Sequence, residues 1–269
     1  MKRNKWLPLL CTLLCFALAG SAAAIEKPLS QSQSDLTAEG TLPAGCAEST
    51  LGSLAADAAL EAVNADAVIL PAAVVTGTLE QGAVFESDLP RVIPEDAPLV
   101  SVQLSPADLA VLLEQGVDRL TRTESEQIDP TSAWDGFPQA GGIQWEYDVS
   151  APVGERLQYI RLHDEELDLT DTQSSLTVVS VPALFNGSLG YPVRTFTDTG
   201  TTLRQALHDY CAARDSISAP ASRSTAIGTS SYPIMDKFPV LAIVGACIVI
   251  SLLASIPKWK QERHFSFKN

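Results

Sequence analysis

The chain has 269 residues, 46% of them hydrophobic and 19% charged, which is enough apolar sequence for one sizeable core. Residues 25–257 hold 31 of the 32 acidic residues and 11 of the 18 basic ones, a net of −20. A surface this acidic repels phosphate backbones and excludes nucleic acid as a partner.

Taken from the start, "MKRNKW" supplies a basic opening, "LPLLCTLLCFALAG" a short apolar run and "SAAA" a small-residue end. That order predicts a secretory signal peptide over residues 1–24, an uncleaved anchor being the alternative. Residues 25–40 are polar with little periodicity and are expected to be a lead-in to a domain spanning 41–215. "CAESTLGSLAADAALEAVNAD" predicts a helix capped by Ser49 or Thr50, with Leu51, Leu54, Ala55, Ala58 and Ala62 on one face. "AVIL" and "LVSVQL" read as short strands. The second leads into "SPADLAVLLEQGVDRL", a helix with Ser105 as cap and Pro106 at its first position. The polar, turn-rich "TRTESEQIDPTSAWDGFPQAGG" reads as a loop. Strands are expected at "IQWEYDVS", "RLQYIRLH" and "LTVVSVP", and a helix at "TTLRQALHDYCAA". The Ser-, Ala- and Pro-rich residues 216–237 read as a flexible stalk.

Residues 238–257, "FPVLAIVGACIVISLLASIP", are twenty residues without a charge, long enough at 1.5 Å per residue to cross a ~30 Å hydrocarbon layer. The tail 258–269 carries Lys258, Lys260, Arg263 and Lys268 against Glu262, and basic flanks stay in the cytoplasm. The expected protein is therefore single-pass in the cell membrane, its domain extracytoplasmic and its C-terminus inside. Helices and strands alternate without a strict βαβ beat, so the fold class is α+β with mixed sheets packed against helices, plus one C-terminal transmembrane helix. Cys46 and Cys211 are the exported cysteines outside the apolar run. They stand beside the first and last helices, where they can form a disulfide or remain two free thiols.

Chemistry-bearing patterns are sparse. His163 and His208 stand 45 positions apart with no helix-spaced metal-ligand partner, so neither a metal nor another cofactor is expected. "HDEELDLTD" is acidic but lacks the glycine and spacing of a calcium loop, and reads as a solvated hairpin turn. "NGSLG" misses the G-x-S-x-G nucleophile elbow by one residue, Asn186 standing at the first glycine. A triad of Ser188, His208 and Asp209 is the weakest of the functional readings.

The order of pieces from about Leu42 to Ala213 resembles the carboxy-terminal domain of 5′-nucleotidases and related nucleotide hydrolases, most specifically in "LGSLAADA" and "GFPQAGGIQWEYD". The resemblance implies a domain that holds the nucleoside part of the substrate, beside an amino-terminal metallophosphatase domain whose His/Asp motifs this chain does not show. The family's Asn-Gly-Gly-Gly-Ile-Arg segment falls on "PAAVVT", Pro71 to Thr76, and Pro-Phe-Gly-Asn falls on "PEDA", placing Glu95 at the stacking aromatic and Ala97 at the asparagine. Gly-Gly-Asp-Gly-Tyr falls on "GSLGY", which keeps Gly187, Gly190 and Tyr191 but has Leu189 at the aspartate. Losing several charge-assisted contacts removes affinity by orders of magnitude, with Tyr191 left as the group to stack on a base. The reading is a degenerate, non-catalytic binding or interaction module. The alternative is the substrate-binding half of a hydrolase whose metallophosphatase is a separate chain, docked through Trp134, Phe137 or Trp145, of which Trp145 reads rather as core.

Overall fold

The computed structural model describes residues 26–229. The expected signal peptide, the apolar run 238–257 and the basic tail lie outside the described residues. Within them no helix is long and apolar enough to cross a membrane.

The elements in chain order begin with β1 (Ser30–Ser32) and β2 (Leu36–Thr37), followed by α1 (Thr50–Val63) and β3 (Ala67–Pro71), which ends in a 3-10 turn at Ala72–Val74. Next are β4 (Thr78–Leu79), β5 (Gly82–Val84), the single-turn α2 (Leu89–Val92), β6 (Pro98–Leu104) and α3 (Pro106–Val117). After a long loop come β7 (Pro138–Gly141), β8 (Ile143–Asp148), β9 (Leu157–Leu162) and β10 (Glu165–Glu166). The chain then runs through β11 (Leu176–Ser180), the short α4 (Pro182–Phe185), β12 (Thr197–Thr202), α5 (Leu203–Ala212), β13 (Ser216–Ile217) and β14 (Ser224–Ile227).

The main sheet has the order β12-β6-β11-β3-β7, with β11 parallel to β3 and the other pairs antiparallel. A second sheet runs β10-β9-β8-β14. Two small ones, β13-β1-β5 and β2-β4, hold the ends of the domain. This is the expected mixed α+β architecture. The central strand β3 reads AVILP and is buried at every position, as suits a strand covered on both faces.

Capping chemistry sets the helix starts. The Ser49 hydroxyl accepts from the Gly52 N–H at 3.0 Å, so Ser49 rather than Thr50 caps α1. Thr50 instead accepts the Thr37 N–H at 2.9 Å. Ser105 and Asp108 form a capping box at α3, with Pro106 in its first turn. Leu51, Leu54, Ala55 and Ala58 face the core as expected, but Ala62 is exposed. The last turn of α1 overhangs the sheet and closes at Asn64, a left-handed residue (φ 53) whose N–H returns to the Leu60 carbonyl.

The joint between α1 and β7 is unusually close. A Cβ on Gly141 would stand 2.9 Å from the Ala56 carbonyl oxygen, so only glycine admits the helix backbone there. Beside it Gln139, fully buried, uses its whole amide. Its Oε1 accepts from the Ser49 N–H (2.9 Å) and hydroxyl (3.0 Å), and its Nε2 donates to the Ala44 (2.8 Å) and Ala47 (2.9 Å) carbonyls. One side chain thus pins the turn that launches α1.

Several expectations change. The polar residues 25–40 are not merely a lead-in. They supply β1 and β2, and Leu36 is wholly buried. The first part of the expected stalk is likewise folded: β13 pairs parallel with β1 and β14 parallel with β8. Residues 230–237 lie outside the described residues. β7 falls inside the segment read as a loop, because Pro138 and Gly141 are turn residues by composition, and β12 (TDTGTT) has no apolar alternation. Of the two alternatives left open for Cys46 and Cys211, the structure has two free thiols, both buried. Cys46 precedes the start of α1, whereas Cys211 lies one turn before Arg214, whose guanidinium pairs with Glu61 in the last turn of that helix. Eleven helical residues at 1.5 Å each separate those ends by on the order of 15 Å, far beyond a disulfide's Cα span. The acidic "HDEELDLTD" is the hairpin expected: His163 (φ 51) and Asp164 (φ 66) make its two-residue turn, with Leu162 opposite Glu165.

Three outcomes are expected. Gln139→Leu leaves the Ser49 N–H and the Ala44 and Ala47 carbonyls without their partner and should cost about 3 kcal/mol in urea unfolding. Burial pushes both thiols up to about 11, so Cys46 and Cys211 should resist alkylation in the native protein and label on denaturation, as read by peptide mass. Burial raises the Glu48 carboxyl, but hydrogen bonds from Ser224, Ser53, Arg223 and Ser222 outweigh it and hold it below its ordinary value. Its contribution to stability is therefore present above its unfolded pKa and lost as pH falls through its folded one. Acid titration of Glu48→Gln should lack that component.

Candidate functional site

The three segments singled out in sequence lie at the end of β3 and around the loops that meet it. Pro71 closes β3, buried and opposite Pro138 in β7. The turn after it is sewn to the loop before β7: the Ala72 N–H donates to the Phe137 carbonyl (2.9 Å) and the Ala73 N–H to the Asp135 carbonyl (3.0 Å). Thr76, exposed, donates its N–H to the Val92 carbonyl at 3.0 Å and so joins the first segment to the second.

In the second segment Glu95 is exposed and makes no hydrogen bond among the described residues. Its neighbours are structural. The Ala97 carbonyl receives the Leu203 N–H at the start of α5 (3.0 Å), and Arg204 donates to the Ile93 (2.9 Å) and Pro94 (2.8 Å) carbonyls while lying 3.6 Å from the Asp96 carboxylate. The segment is held as a cap on α5.

The third segment, residues 186–191, is a tight turn with Gly187 (φ 85) and Gly190 (φ 83) in the left-handed region that favours glycine. The Gly190 N–H returns to the Gly187 carbonyl (3.0 Å), and Asn186 Oδ1 accepts from the Ser188 N–H (2.9 Å). Gln115 of α3 donates to the Gly190 carbonyl at 2.6 Å and fixes the turn to that helix. Leu189 is half-buried against the core.

Tyr191, in a turn where the sequence favoured a structural role over nucleotide binding, is packed into the fold. It is 3% exposed, its ring stacks on Trp134 with centroids 5.6 Å apart, and its hydroxyl donates to the Gly136 carbonyl at 2.7 Å. Burial pushes its phenol pKa strongly upward. The ring expected to meet a base is spent on packing. Trp134 is itself fastened, its indole N–H donating to the Gly116 carbonyl (3.1 Å), and the Arg119 guanidinium lies 4.2 Å over its ring. Of the three candidate docking aromatics, Phe137 and Trp145 are core residues, and Trp134 is the partly exposed one.

The triad residues are not brought into contact. The Ser188 hydroxyl donates to the Ala183 carbonyl at 3.2 Å. His208 Nδ1 lies 2.9 Å from the Asp209 carboxylate on α5, and that hydrogen bond lowers the Asp209 pKa. No hydrogen bond joins Ser188 to His208. Among the described residues no group of three or more His, Cys, Asp or Glu converges as a metal site would require.

A shallow cleft of ≈ 220 Å³ opens beside the turn after β3, between Ala44, Ala72, Ala73 and Trp134. Its charged rim residues are Glu39 and Asp135, both acidic. It is smaller than the ~300–1,000 Å³ common for small-molecule sites, and its sign opposes a phosphate. Two larger depressions lie elsewhere. An apolar groove of ≈ 480 Å³ runs between α3 and the turn before β9, past Val111, Val153 and Leu157, and a polar cleft of ≈ 320 Å³ lies between α1 and the β9–β10 hairpin. Neither was signalled by sequence, because each is assembled from elements distant along the chain.

The family described as 5′-nucleotidase, C-terminal domain, matches residues 29–195. Among solved structures, a 5′-nucleotidase precursor from Thermus thermophilus superposes with a TM-score of 0.64 at 19% identity, over 83% of this chain and 43% of that one. The NAD nucleotidase of Haemophilus influenzae gives 0.60 at 15% identity, over 81% and 41%. A putative 5′-nucleotidase from Staphylococcus aureus, solved with alpha-ketoglutarate, gives 0.59 at 15% identity, over 84% and 44%. This chain thus spans less than half the length of each of these proteins. No curated protein matches it in sequence.

Replacing Tyr191 with Phe removes a buried hydroxyl and orphans the Gly136 carbonyl. A loss of about 1–2 kcal/mol in thermal or urea unfolding is expected, with no change in response to added nucleosides.

Proposed function

Since this chain belongs to the 5′-nucleotidase C-terminal-domain family, we propose that it is an exported, membrane-anchored member working as a binding or interaction module rather than as a hydrolase. The single observation that carries the reading is the Tyr191–Trp134 stack. Tyr191, the aromatic that the sequence left to stack on a base, has its ring and hydroxyl committed to Trp134 and Gly136. The neighbouring positions agree. Pro71 and Leu189 offer no donor, Glu95 adds a negative charge, and the adjacent cleft carries Glu39 and Asp135. An anionic nucleotide meets repulsion where it would need charge-assisted hydrogen bonds. The uncharged run 238–257 and its basic flank supply the anchor, with the domain outside and residues 258–269 inside.

The test is hydrolysis and binding by the purified chain. Nucleoside monophosphates and nucleotide sugars, with or without Mn²⁺ or Zn²⁺, should not be turned over, and adenosine or AMP at millimolar concentration should not raise the melting temperature. Turnover lost on Ser188→Ala or His208→Ala would overturn the reading in favour of the near-elbow. Turnover that needs metal and survives both changes would locate a different site.

A second reading rests on length. The match covers 43% of the Thermus relative, and in this reading the chain is the substrate-binding half of a hydrolase whose metallophosphatase is a separate chain. If so, a secreted metallophosphatase encoded beside this chain should co-elute with it and gain turnover in its presence. Independent elution with unchanged turnover rules that out.

A further inference from the structure

The family match ends at residue 195, yet the described structure runs on to residue 229 and finishes in a strand that the sequence hides in a stalk. β14 lies parallel to β8, with Ser224 opposite Trp145 and Ile227 opposite Asp148. It is fastened at both ends. At its start the Trp145 N–H donates to the Arg223 carbonyl (2.8 Å), and the Glu48 carboxylate accepts from the Ser222 hydroxyl (2.8 Å) and from the Arg223 (2.8 Å) and Ser224 (3.0 Å) N–H groups. The Arg223 guanidinium reaches Asp57 on α1 (2.6 Å) and the Ala140 carbonyl on β7 (3.0 Å). At its end the Val149 N–H donates to the Ile227 carbonyl (3.1 Å) and Arg122 to the Gly228 carbonyl (3.0 Å). Gly228 sits at φ 70, and a Cβ there would run into Asp148 and Ser150. The side chains of β14 are at most half-buried, so polar fastening rather than apolar burial holds the strand.

We propose that β14 is a clamp that seats the domain close to the bilayer, with the corner around Asp148, Ser150 and Val153 turned towards it. The proposal rests on the reading of residues 238–257 as the membrane span. With β14 docked, eight residues, 230–237, separate the described fold from the run 238–257, and eight residues reach ~30 Å at most when fully extended. With β14 released the tether begins after β13 at residue 218, and its limit grows to ~70 Å. Docking also sets where the chain leaves the fold, at Gly228, beside the β8 end and the turn that bears the 61% exposed Val153, so this corner lies nearest the span. A phosphatidylcholine bilayer is zwitterionic and presents no net charge for the −20 to repel.

The experiment uses the full chain in phosphatidylcholine vesicles that carry an acceptor dye on the lipid headgroup, with a donor attached through Val153→Cys. Energy transfer and amide exchange of residues 224–227 are read in the same floated vesicles, for this chain and for Glu48→Ala and Arg223→Ala. The clamp predicts strong transfer and protected amides. In both variants transfer should fall about twofold and residues 224–227 should exchange at least tenfold faster, while β3 amides stay protected and show the core intact. Amides 224–227 exchanging as fast before as after the substitutions would overturn the clamp. So would transfer that is unchanged when the strand is free. A chain that does not float with the vesicles overturns the membrane reading instead, and the seating with it, and is recognised before either readout.

Discussion

The close joint between α1 and β7 is the constraint on which the rest of the domain depends. Gly141 lets the helix backbone approach the strand, and Gln139 spends its four hydrogen bonds on the turn that begins the helix. A buried amide satisfied in this way is costly to disturb, because each lost partner leaves a desolvated group behind. The joint sets β7 against β3, and the loop entering β7 carries Trp134, Gly136 and Phe137 to the end of the sheet. The geometry of the family's ligand region therefore follows from how one helix sits on one strand.

In that region Gly187 and Gly190 make a left-handed turn, and Gln115 holds the Gly190 carbonyl. The side chains around them serve the fold: Tyr191 on Trp134, Leu189 against the core, Arg204 on the Ile93 and Pro94 carbonyls. A site whose aromatic ring is stacked and whose hydroxyl is bonded is a packed junction, and packed junctions tolerate loss of ligand chemistry better than loss of shape.

The acidic surface has a structural use as well. Glu48 accepts from the segment leading into β14, Glu114 accepts the Gly154, Arg156 and Leu157 N–H groups, and Asp66 accepts the Thr177 N–H at 2.7 Å. Carboxylates that receive backbone N–H groups make charge-assisted bonds. Part of the excess negative charge thus fastens loops and strands that lack apolar side chains to bury. Glu48 carries this furthest, since it takes the Ser222 hydroxyl and the Arg223 and Ser224 N–H groups at the start of β14.

Local chemistry was legible in the sequence. The Ser49 and Ser105 caps, the apolar stripes of α1 and α3, the strands at β3, β6, β8, β9 and β11, and the hairpin at His163 each depend on residues within a few positions of one another. The family resemblance was legible too, because small residues at the α1–β7 joint leave a readable pattern in "LGSLAADA" and "GFPQAGG". Only the tertiary structure decided the rest. β7, β12 and β14 are strands through their neighbours, not their own composition. Cys46 and Cys211 are kept apart by the length of α1. Tyr191 is core rather than ligand surface because Trp134 and Gly136, 57 and 55 positions earlier in the sequence, fold onto it. A side chain's partners are set by which distant segments the packing brings to it, and period, capping and motif spacing carry no record of that.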